Sequence, residues 1–172
     1  MHVEKNMYDS LIGILLDIRG KSKDTLEIRK GLQPMKVRNE LYPIVLDKGR
    51  HKLPTAAYTL SKAEKTKMCE TLSSIKVPTG YCANMKRLVS MKDLKLRGMK
   101  AHDCHVMLTQ MLPVAIRGIL PDKVRDPIIK LCSFFNAISQ KVIDPNKLEK
   151  LDKDIILLYA VLRCIFRHPS LT

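Results

Sequence analysis

The sequence predicts a mostly α fold, an irregular helical domain with a basic loop or short hairpin in its middle. Three observations predict it. Apolar residues recur at helical spacing near the start and throughout the last third of the chain. Ser61-x-x-Glu64 and Asp144-Pro145 mark helix starts. Between these helical regions, "VSMKDLKLRG" alternates, inside a stretch, "KRLVSMKDLKLRGMK" at 86–100, that is dense in Lys and Arg.

Each element has its own signal. In residues 3–19, Val3, Met7, Leu11, Ile14, Leu15 and Ile18 form one stripe, with Gly20 as a natural stop. Ser22 is expected to cap a short helix, "KDTLEIRKG", ended by Gly31, and Pro34 to open a further turn. Pro43, Gly49 and Pro54 make 43–58 read as a loop and the chain's most flexible joint. After the capping box, Met68, Leu72 and Ile75 share one side of a helix that "VPTGY" breaks. "NMKRLV" gives one or two helical turns, and "VSMKDLKLRG" a short hairpin or extended loop. Three helices are then expected over about 100–118, 122–142 and 145–167. Pro113 and Pro127 fall inside two of them, so each should kink its helix or mark a boundary.

Composition narrows the function classes. The 172 residues suffice for a real core, and 45% hydrophobic with 28% charged residues is the balance of a folded domain. With 5% aromatic residues and no Trp, nine Met join Leu, Ile and Val in the packing. The net charge is +14, of which residues 1–100 carry +11 and residues 101–172 carry +3. Such an excess attracts polyanions, most simply nucleic acid, although a solvated surface explains it equally well. Five scattered cysteines, Cys69, Cys82, Cys104, Cys132 and Cys164, form neither a disulfide nor a zinc framework and imply reduced thiols. The chain opens on a polar stretch unlike a signal peptide, and its longest apolar run, 155–162, is too short to span a membrane. No membrane partner is expected.

The densest chemistry lies at His102-Asp103-Cys104-His105. His102 and His105 are three apart and share a helix face, so they and Asp103 are the candidate metal ligands. A structural zinc wants four ligands and no second pair exists, and HExxH is absent. The simpler account has Asp103 favouring the helix dipole and a buried His donating to a backbone carbonyl. Cys104 and His105 are neighbours that point about 100° apart on a helix, which does not make a nucleophile and base. No glycine-rich phosphate loop occurs, and no cofactor is expected. In the basic stretch, Lys86, Arg87, Lys92, Lys95, Arg97 and Lys100 face a single Asp93, the pattern of phosphate contacts with salt-sensitive affinity. No aromatic residue interleaves them, so base stacking is not indicated.

Two long blocks carry a resemblance. "MHVEKNMYDSLIGILLDIRGKSKDT" is similar to the segment closing the transposase region of plant CACTA (En/Spm-type) DNA transposons. "LKLRGMKAHDCHVMLTQMLPVAIRGILPDKVRDPIIKLCSFFNAIS" resembles the module that follows it, known as domain of unknown function 4218. The likeness covers roughly residues 1–166, in family order. It implies a nuclear protein (cytosolic if not imported) encoded by a mobile element, with DNA and other transposase subunits as expected partners. It also implies a catalytic RNase H-like fold whose acids and sheet precede Met1. Glu4 lies where the last acid is expected, and its plain reading is an exposed residue at a helix start favoured by the dipole. One carboxylate cannot hold two metal ions, so no catalysis is expected of this chain.

The resemblance divides the chain into 1–42, a remnant of the transposase region; 43–60, a linker; 61–166, a helical accessory domain; and 167–172, a tail. In the family, Phe-Pro-Pro-Ser-Phe-Phe-Asp follows the last helix. Losing one base from suitable codons for it reads Phe-Arg-His-Pro-Ser-Leu-Thr, as at Phe166–Thr172, so the tail is expected to be out of frame. The sequence therefore predicts a non-catalytic transposase fragment that contacts DNA or aids assembly. The alternative is a structural or protein-interaction domain, or a pseudogene product without activity. Missing neighbours at both ends would make it marginally stable.

Overall fold

A computed structural model of the chain describes residues 2–18, 20–22, 24–78 and 80–166, with the side chain of Cys164 also outside the description. The fold is mostly α. Its helices are α1 (His2–Leu15), α2 (Leu26–Leu32), α3 (Lys62–Ser74), α4 (Met85–Leu88), α5 (Ala101–Val106), α6 (Leu112–Ala115), α7 (Asp122–Ile138) and α8 (Pro145–Phe166). A π-helical turn over Met107–Met111 joins α5 to α6. Two small antiparallel hairpins accompany them, β1 (Ile44–Val45) with β2 (His51–Lys52) and β3 (Val89–Ser90) with β4 (Lys95–Leu96). The tail 167–172 lies outside the described residues.

The core forms where apolar faces converge on the α5–α6 run. Met107, Leu108, Leu112 and Ile116 are fully enclosed there, with Leu15 from α1, Met68 and Leu72 from α3, Met85 from α4 and Ile128 from α7. One cluster extends from Tyr8 to Leu162. It runs across the boundaries expected from the sequence, because α1 packs on α5 and the Leu60 amide donates to the Leu15 carbonyl at 3.0 Å. The expected joint at 43–58 is two different things. Ile44, Val45 and Leu46 are exposed, whereas Ala56 and Tyr58 are buried. Arg29, itself buried, pins this segment by donating to both carboxylate oxygens of Asp24 (2.7 and 2.6 Å) and to the Pro54 carbonyl. The Tyr58 hydroxyl completes the group on Asp24 at 2.8 Å.

Several helix boundaries differ from those the sequence predicts, each for a local reason. The first helix ends at Leu15 instead of Arg19, because the chain reverses and lays the Lys21 backbone against Gly13, where a Cβ would sit 2.7 Å from the Lys21 carbonyl oxygen. Thr25, not Ser22, caps α2 by accepting from the Ile28 amide, and Gly31 lies inside that helix. The Ser61–Glu64 capping box forms as expected, with both reciprocal bonds in place. Asp144 accepts from the Asn146 amide at 3.0 Å and Pro145 takes the first position of α8. Pro113 lacks an N–H and would crowd the carbonyl of Thr109, and the helix adapts through the π turn immediately before it. Pro127, by contrast, sits buried within an uninterrupted α7.

Candidate functional site

The structure separates the two lead regions of the sequence into one buried polar junction and one charged surface. The junction joins three helices. Glu4, in the first turn of α1, is 7% exposed rather than on the surface. Its Oε1 accepts from the Nδ1–H of His105 on α5 at 3.0 Å and from the hydroxyl of Ser139, the residue ending α7, at 2.9 Å. Burial pushes this carboxyl up, but the bond from Ser139 and the His105 ring are among the interactions that outweigh it and hold Glu4 below the usual carboxylate range.

The rest of the histidine cluster is engaged as well. The His102 and His105 rings do share a face, their centroids 6.5 Å apart, yet they look to different partners. His102 Nε2 lies 2.7 Å from the Tyr81 carbonyl oxygen, which can only accept, so this nitrogen carries the proton. The expectation of a buried histidine donating to a carbonyl is met only in the bond, since His102 donates to Tyr81 but is itself exposed. Asp103 is 4% exposed, and its two oxygens accept from the Ala83 amide (2.9 Å) and the Lys100 amide (3.0 Å). It ties the 81–84 turn to the start of α5, a contact beyond the helix-dipole role expected from its place in the first turn. Gln110 reaches the Tyr81 hydroxyl at 2.5 Å. Among the described residues, no three His, Cys, Asp or Glu side chains group so as to hold a metal ion.

This arrangement bears on catalysis. The Glu4–His105 pair resembles the orienting half of a general-base dyad. Ser139, however, donates its hydrogen bond to Glu4, so the base and the hydroxyl compete for one carboxylate instead of forming a relay. Burial pushes the Cys104 thiol up to about 11, so it is a neutral packing group near pH 7. Local pattern could not supply Ser139 or Tyr81, because each reaches the cluster from a segment remote in sequence. A serine at a helix end is the single feature that singles out Ser139.

The charged surface is the β3–β4 hairpin and its flanks. Met85 and Val89 anchor it in the core, and the Arg97 amide extends the ladder by donating to the Leu88 carbonyl at 2.9 Å. Ser90 and Asp93 bond across the turn at 2.9 Å, and Leu94 takes a left-handed conformation to close it. Lys86, Arg87, Lys92, Lys95, Arg97 and Lys100 are all exposed. Arg97 pairs with Asp93 at 2.5 Å. The ion pairs among the described residues leave the other five without a carboxylate. Packing of α3 against α4 and β3 places Lys62 and Lys67, both exposed, on the neighbouring helix.

No family model, curated protein or solved structure matches the chain. No helix among the described residues is long and apolar enough to cross a membrane.

Proposed function

We propose that the protein is a non-catalytic accessory module of a transposon-encoded transposase assembly, acting in the nucleus by contacting DNA phosphates through the β3–β4 hairpin. The observation that carries this reading is the set of five exposed, carboxylate-free cations at Lys86, Arg87, Lys92, Lys95 and Lys100 on a core-anchored hairpin. Each gains by replacing condensed counterions on a phosphate backbone, and among the described residues none has an ion pair to break first. The family likeness of residues 94–120 supports the setting, and the engagement of Glu4 by His105 and Ser139 supports the absence of chemistry.

Titrating duplex DNA with the full chain across a salt series tests the proposal. Affinity should fall steeply with salt, and alanine at each of the five positions should flatten the slope by roughly 0.9 for every phosphate left unneutralised. Absence of binding at low ionic strength, or binding indifferent to these substitutions, overturns it. Nicking or joining of DNA by the chain with magnesium or manganese would overturn the non-catalytic part.

A further inference from the structure

We propose that α8 is a homodimer interface, pairing antiparallel with α8 of a second copy along the row Asp152, Ile156, Tyr159 and Arg163. The helix is apolar on two opposite sides. Leu158 and Leu162 bury one side against the protein, while Ile156 (65% exposed), Leu157 (68%), Tyr159 (39%) and Val161 (37%) stand in solvent on the others. Exposed apolar side chains gathered on one helix mark a candidate contact surface, and Ile156 and Tyr159 place two of them on the row.

The chemistry of the row says what covers it. Its members are spaced four, three and four residues apart, which places them on one ridge about 16.5 Å long. Read backwards, the ridge presents Arg163, Tyr159, Ile156 and Asp152. A two-fold axis between Ile156 and Tyr159 therefore sets each Asp152 against the other copy's Arg163, and each Ile156 against the other copy's Tyr159. That self-complementarity is what an isologous contact requires of a single patch. Asp152 and Arg163 are both exposed, and the ion pairs among the described residues include neither. Arg163 lies over its own Tyr159 ring at 5.6 Å, which keeps the guanidinium on the ridge. An anionic lipid surface would gain nothing from Asp152.

Sedimentation equilibrium of the full chain over micromolar concentrations tests the pairing. The wild type should dimerise reversibly; Asp152→Arg and Arg163→Asp should each weaken it roughly tenfold or more, and the double exchange should restore it. Far-UV circular dichroism checks the helicity of each variant. Should the exchange fail to fold, Ile156→Glu, at an exposed site, decides by abolishing the dimer. A wild type monomeric throughout, a dimer indifferent to these changes, or a folded double exchange that stays monomeric overturns the proposal, and places a foreign partner or nothing at all on this face.

Discussion

At Glu4 a single side chain links α1 to both α5 and the end of α7. Its carboxyl is held below the ordinary value near 4.5, against the opposing effect of burial. A group whose folded pKa is depressed contributes stability that is complete above its unfolded pKa and lost as pH falls through the folded one. Thermal melts should therefore show the wild type losing its advantage over Glu4→Gln below about pH 4.5. At pH 7 the variant should be less stable by about 1–2 kcal/mol, because two donors lose a charged acceptor. Equal stability across that pH range would mean that the junction contributes nothing. Gly13 is the opposite case, a residue needed for having no side chain. Gly13→Ala would press a methyl group into the Lys21 carbonyl, a backbone group that cannot swing away, so a loss of about 1–3 kcal/mol is expected in denaturant melts. The thiols make a third expectation at this scale. Cys69, Cys104 and Cys132 are buried, and burial pushes Cys132 up to about 12, whereas Cys82 is only partly covered. Site-resolved alkylation of native protein should modify Cys82 well before those three, which should react only as the chain unfolds.

The elements show where short-range signals were sufficient. The capping box at Ser61 and the Asp144-Pro145 start are satisfied within four residues, so sequence spacing alone specifies them. Ser61→Ala should lower stability by about 1 kcal/mol through loss of the cap, while the neighbouring exposed Lys62→Ala should be nearly silent. A comparison of the two by chemical denaturation checks this. The hairpin at 89–96 was legible as an alternation of residue types, and the bond between Ser90 and Asp93 explains why it closes there. Helix ends set by tertiary contact were not legible. Nothing before Arg19 announces a stop at Leu15, because the cause is the return of Lys21 across Gly13. The π turn at Met107–Met111 is half legible: Pro113 signals a defect, but whether the helix kinks, ends or widens depends on what encloses it, and Pro127 in α7 produces no break at all.

For the whole molecule, the continuous core is the consequential feature. Residues from α1, α3, α4, α5, α7 and α8 all contribute to one cluster, and Arg29 locks the 54–58 segment onto α2. Segments that share a core unfold together, so melts followed by far-UV circular dichroism and by Cys132 alkylation should coincide in one transition. Two separated transitions would restore a division near residues 43–60. Charge also acts at this scale, since the +14 excess is concentrated before residue 101 while the exposed apolar side of α8 lies near the other end. The two proposed interfaces use different residues, and disabling one should leave the other measurable.

By itself the sequence determined the class of fold, the capped helix starts, the basic hairpin and the scattered thiols, because each depends on residue type and on spacings of a few positions. Only the tertiary structure decided that Glu4 is buried, that His102 and His105 answer to Tyr81 and to Glu4, and that the first and last thirds share one interior. Those facts rest on interactions between residues as many as 135 positions apart. Such interactions arise only once apolar faces have packed, and no local pattern encodes which faces will meet.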